Sequence, residues 1–132
     1  MSPTLIAEAR RRFAPTPEAL RAVRGFVAQV VAAARELDRD AVCLIADELA
    51  ANAVEHAGTP FVVTVKVYDS DPPAVARVEV EDLSAAPPRR LPASARMSHG
   101  WGLNLVERVA SRWGWEPCSP SGKVVWFELE QP

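Results

Sequence analysis

Four polar side chains crowd the stretch ELAANAVEHA at 48–57: Glu48, Asn52, Glu55 and His56. Spacings of four, three and one place Glu48, Asn52 and one or both of the later pair on a single helical face, with Ile45, Leu49 and Ala53 on the adjoining side. A carboxamide oxygen is a hard ligand suited to Mg²⁺, which takes few protein oxygens together with waters and substrate phosphates. A carboxylate one turn earlier can take the proton from a nucleophile attacking a phosphate. The alternative is an ordinary solvated face. Asparagine in a helix interior, a histidine beside it and the lack of a neighbouring Lys or Arg to complete an ion-pair ladder all weigh against that alternative.

Two further stretches offer complementary chemistry. In HGWGL, at 99–103, Gly100 and Gly102 let the backbone approach a ligand closely, and a helix that follows presents free N–H groups and a positive dipole end to an anion. Taken alone, GxG before a helix can equally be a tight turn. In VEDLS, Asp82 ends a strand where a loop begins and can accept from an amino group, or simply initiate the turn.

These residues need elements to hold them. Thr16 as N-cap, Pro17 at the first helical position and Glu18 in the first turn open a helix whose stripe runs through Leu20, Val23, Phe26, Val27, Val30, Val31, Ala34 and Leu37. Asp38 or Asp40 caps a second helix reaching about Ala57, stopped by Gly58 and Pro60. EARRRFAP reads as a leading edge strand, and FVVTVKVYD and AVARVEVED alternate apolar with polar around the turn SDPP, so 61–83 form an antiparallel hairpin. Residues 84–98, rich in proline and arginine, form a long loop of the kind used as lids. GWGLNLVERVASRWG gives a third helix ending at Gly114, and WEPCS, the turn PSG and KVVWFELE close the sheet with a final hairpin. The order strand, helix, helix, strand, strand, loop, helix, strand, strand implies an α+β two-layer sandwich, with helices packed on one face of a mainly antiparallel (mixed) sheet.

Bulk composition fits one domain spanning residues 1–132. The chain is 48% hydrophobic and 24% charged, far from disordered composition. With a net charge of -2 and its arginines scattered, it lacks the basic stripe of a nucleic-acid binder. No apolar run spans a bilayer and no signal peptide is evident; a cytoplasmic location is expected. Cys43 and Cys118 have no histidine neighbours and read as small buried hydrophobes.

In chain order, E-x3-N-x3-H on a helix, a strand ending in Asp, a lid-like loop and G-x-G-L opening a helix resemble the GHKL ATPase superfamily and its Bergerat fold. Within it, the length and the start RRFAPTPEALRAVRGFV look like the bacterial anti-sigma-factor serine/threonine kinases. The resemblance covers about residue 9 to residue 130. It implies ATP and Mg²⁺ as cofactors, with Glu48 as general base, Asn52 as Mg²⁺ ligand, His56 near the phosphates and Asp82 on adenine. It further implies Gly100, Gly102 and Leu103 at the phosphates, and a lid at about 84–99 whose Arg89, Arg90, Arg96 or His99 touches phosphate. The implied partners are an anti-anti-sigma (STAS-type) protein, a sigma factor and a second copy of the chain, with no direct contact to nucleic acid or membrane. The chain departs from the superfamily in one place: DLSAA stands where D-x-G-x-G is usual, with Ser84 and Ala86 at the glycine positions. That departure keeps a second reading open, a nucleotide-gated protein that sequesters its partner with little or no kinase activity.

Overall fold

The computed structural model describes residues 3–69, 73–87, 102–118 and 120–131. Strand β1 (Thr4–Phe13) leads into helix α1 (Pro17–Val31) and helix α2 (Arg39–Asn52), which continues as a single π-helical turn, Ala53–Ala57. The hairpin β2 (Phe61–Asp69) and β3 (Ala74–Asp82) follows, then helix α3 (Gly102–Val109) and the closing strands β4 (Arg112–Pro117) and β5 (Lys123–Gln131). The sheet order is β1-β2-β3-β5-β4, and all four pairings are antiparallel. The element order is the one expected, and the helices cover one face of the sheet.

Alternation decides which residues face the helices. Phe61, Val63, Val65 and Val67 of β2, Ala74, Ala76, Val78 and Val80 of β3, and Val125, Phe127 and Leu129 of β5 are all buried. Leu20, Val23, Val27 and Val31 of α1, spaced by three and four, meet them from the other side. At one end Phe13 stacks on Phe61, with ring centroids 5.6 Å apart, and takes the edge of Phe26 at 5.9 Å. Helix α2 is different: from Val42 to Ala51 every residue but Leu44 is buried. It lies between α1 and α3 with the sheet beneath, and the small Ala46, Ala50 and Ala51 give its neighbours room to approach.

The sheet's outer face carries an ion-pair ladder. Glu128 on β5 lies directly across from Arg77 of β3 and Arg112 of β4. Arg77 Nη1 donates to its Oε2 at 2.9 Å and Arg112 Nε to its Oε1 at 2.8 Å. Arg77 also donates to Glu79 at 2.8 Å, with its guanidinium 4.2 Å above the Trp126 ring, and Arg112 reaches Glu130. Burial would push the Glu128 carboxyl upward, but the hydrogen bonds from Arg112 and Arg77 outweigh it and hold the group below its ordinary value.

Two helix ends differ from expectation. Helix α1 stops at Val31, because the bonds Ala33 N–H to Val30 and Ala34 N–H to Val31 tighten the chain into turns; Ala34 and Leu37 stay buried all the same. Helix α3 ends at Val109, and Gly114 lies within strand β4. There a Cβ would come within 2.9 Å of the Trp126 ring, so the glycine makes room for an aromatic rather than stopping a helix. Cys43 is buried, whereas Cys118 is half-buried at the turn before β5. At α2 the choice of cap is resolved: Asp38 accepts from the Ala41 N–H at 3.1 Å.

Candidate functional site

Because α2 is buried on every side but that of Leu44, Glu48 is not on a solvated face: it is 3% exposed. The helix then changes pitch. From Ala53 the backbone bonds to the fifth residue, Gly58 N–H to Ala53 C=O at 2.9 Å, and Gly58 ends the turn with φ +64. An α-helix advances 100° per residue, so Glu48, Asn52 and a regularly placed His56 would drift steadily around the axis. The wider π turn advances less per residue and winds His56 back toward the line of Glu48 and Asn52.

The ends of β3 and β5 meet this helix end. A cavity of about 240 Å³ opens there, walled by Leu49, Asn52, Ala53 and His56 from the helix, Val80 and Asp82 from β3, and Ser84, Ala86, Pro87, Lys123 and Val125. Glu48, one residue before Leu49, is not among the described residues of that wall. Asn52 Nδ2 and His56 Nε2 are buried with no hydrogen-bond partner among the described residues. Orphaned polar atoms of this kind are rare in folded chains and here mark where a ligand would complete the bonding. An amide turned about its last torsion exchanges nitrogen for oxygen, so Asn52 can offer either a donor or an acceptor at that position.

Asp82, 4% exposed, occupies the inward phase of β3, one step beyond Val80. Directly across the ladder stands Lys123, 6% exposed, in phase with Val125, Phe127 and Leu129 of β5. Its Nζ lies 3.1 Å from both Asp82 carboxylate oxygens. Sequence reading missed Lys123, although a signal was present: a lysine at an inward position of an alternating strand requires a buried partner. The turn that delivers it is tight. Gly122 has φ +114, and a Cβ there would lie 2.3 Å from the Asp82 carbonyl oxygen. Thr59, also missed, accepts from the Leu83 N–H at 3.0 Å and pins the strand end to the corner after α2.

The DLSAA segment needs no glycine in its described conformation. The Ser84 N–H donates to Asp82 Oδ1 at 2.9 Å and the Ala86 N–H to Ser84 Oγ at 3.2 Å. Among the described residues no non-glycine backbone has positive φ. Gly102 and Leu103 open α3, as the G-x-G-L pattern requires. Arg89, Arg90, Arg96, His99 and Gly100 lie outside the described residues, as does most of the expected lid.

Residues 13–129 match the family model of the histidine kinase-like ATPase domain. The fold is similar to the crystal structure of the RsbU and RsbW domains of Rv1364c from Mycobacterium tuberculosis, with a TM-score of 0.64 and 18% identity; the match covers 94% of this chain and 33% of that one. No curated protein matches the chain. Among the described residues, no helix is long and apolar enough to cross a membrane.

Proposed function

Because the chain belongs to the histidine kinase-like ATPase family, we propose that it is an ATP-binding regulator of the anti-sigma-factor type, which uses Mg-ATP to phosphorylate a Ser or Thr of an anti-anti-sigma, STAS-type partner and also engages a sigma factor. The observation that carries this reading is the convergence of Asn52, His56 and Asp82 on one cavity, with two buried polar atoms there awaiting partners. The likeness to a chain containing an RsbW domain supports the class of regulator.

Each residue then has a task. Asp82 accepts from the exocyclic amino group of adenine, while Val80, Leu49 and Val125 supply apolar wall for the ring. His56 and the backbone at Gly100 and Gly102 face the phosphates, where the start of α3 offers N–H groups to anionic oxygens. The family pattern further assigns Leu103 to the nucleotide site and Arg96 to phosphate. Asn52 would hold Mg²⁺ through its amide oxygen, a single hard donor consistent with an ion that keeps waters and phosphates as its other ligands; when bound, the ion neutralises charge developing on the phosphoryl oxygens. Glu48 takes the proton from the attacking hydroxyl of the partner. A second copy of the chain, a cytoplasmic setting and the absence of direct contact to DNA or membrane complete the reading.

A second reading, nucleotide-gated sequestration without phosphotransfer, is favoured by one observation: the Ser84 and Ala86 hydrogen bonds fix the start of the loop where the family usually has glycines. One experiment separates the two. Incubation with labelled Mg-ATP and the candidate partner is expected to place phosphate on the partner, and Glu48→Gln is expected to slow transfer about 10²-fold or more while leaving ATP affinity within a few-fold. Equal transfer rates would remove Glu48 as the base, and ATP-dependent partner binding without transfer would establish sequestration.

A further inference from the structure

Lys123 raises a question that neutralising Asp82 does not answer. A buried ion pair costs desolvation on both sides, and an apolar replacement of the same volume often serves stability equally well. Here the pair lies on the cavity wall, with both side chains directed to the helix-facing side of the sheet. Two contacts to one carboxylate leave one of the ammonium's three N–H donors available for a hydrogen bond on the cavity side. Asp82 Oδ1 already accepts from the Ser84 N–H, and Oδ2 has only Lys123 among the described residues. The wall thus offers an acceptor and a donor side by side.

We infer that Lys123 is a base-reading residue: Asp82 Oδ2 accepts from the 6-amino group of adenine while Lys123 Nζ donates to ring nitrogen N1, so the ion pair matches the adjacent donor and acceptor on the purine edge. The inference rests on the nucleotide reading above. No bond is made or broken; Lys123 determines specificity. A carboxylate alone would present acceptors only, and N1 would face it unpaired.

Calorimetry on the full chain tests this with ADP, 1-deaza-ADP, which lacks the N1 acceptor, and purine riboside diphosphate, which lacks the 6-amino group. For the parent chain each analogue is expected to bind about tenfold more weakly than ADP, the loss expected for one hydrogen bond to a charged group. In Lys123→Met the 1-deaza penalty is expected to fall below about twofold, while Lys123→Arg, which keeps a charged donor, retains most of it. A parent chain that binds 1-deaza-ADP as well as ADP overturns the inference without needing any variant to fold. An unchanged penalty in Lys123→Met overturns it too and leaves Lys123 as a structural counter-ion. If ADP binds with the amino penalty but no N1 penalty, only this inference falls. If ADP does not bind the parent at all, the nucleotide reading falls and takes the inference with it.

Discussion

Asn52 is half-buried near the end of a helix that is otherwise walled in, and its side-chain nitrogen has no partner in the described structure. A side chain without a partner contributes little to folding, so loss of the proposed binding role and loss of stability are separable at this position. Asn52→Ala should therefore leave thermal stability close to that of the parent while weakening Mg-ATP binding by about tenfold or more, as loss of one charge-assisted contact requires; calorimetry with and without Mg²⁺ reads both. Unchanged affinity would remove the metal-ligand role. At this scale the sequence was legible where chemistry is local. Spacing put Asn52 and His56 on one helical side, and both line the cavity, whereas Glu48, expected on the same face, is buried and is not among the described lining residues. Lys123 was legible only as an inward-phase lysine that needs a partner; the partner itself lies 41 positions away, and only the strand register brings the two together. Nor did spacing reveal that the π turn, rather than a regular helix, keeps His56 in line.

Elements position the site through their ends. Gly58 closes the π turn in the left-handed region, and Gly122 combines φ +114 with close approach to the Asp82 carbonyl. The two glycines are not equivalent. A Cβ at Gly58 meets nothing within 4 Å, so alanine there costs only the backbone penalty, about 1 kcal/mol. At Gly122 the same substitution must also push the turn away from β3, and the Lys123–Asp82 pair moves with it. Gly122→Ala is expected to destabilise by more than Gly58→Ala and, unlike it, to weaken nucleotide binding; comparative melting and ADP titration check both halves. Start signals and the β2–β3 hairpin were readable because caps and alternation are written within each segment. The ends of α1 and α3 were misjudged, since apolar spacing persists through the turns after Val31 and since Gly114, which looks like a helix stop, serves the packing of Trp126.

For the whole molecule, one sheet face is covered by helices and the other is bridged by charge. Glu128 anchors that ladder, with arginines across from it on both neighbouring strands. Its folded carboxyl lies below the ordinary value, so the stabilisation it lends is complete above the unfolded value of about pH 4.3 and is lost as pH falls through the folded one. The melting temperature of the parent should drop more steeply between about pH 5 and pH 3 than that of Glu128→Gln, while at neutral pH the variant melts lower, with two arginines short of a carboxylate. Parallel slopes would show that the ladder does not contribute. The two-layer class was readable because element order and alternation restrict the architecture; the sheet order was not, since β5 inserting between β3 and β4 depends on contacts far apart in the chain.

The clasp of Asp82 and Lys123 joins the central strand of the sheet, β3, to its neighbour β5. A nucleotide held by both residues would become a third member of that clasp, present only in the folded chain, and by mass action ADP at a hundred times its dissociation constant would add about 2.7 kcal/mol to the free energy of unfolding. Nucleotide supply would then set how long each copy of the protein survives as well as what it does, and a copy with an empty pocket would be the first to be lost to proteolysis.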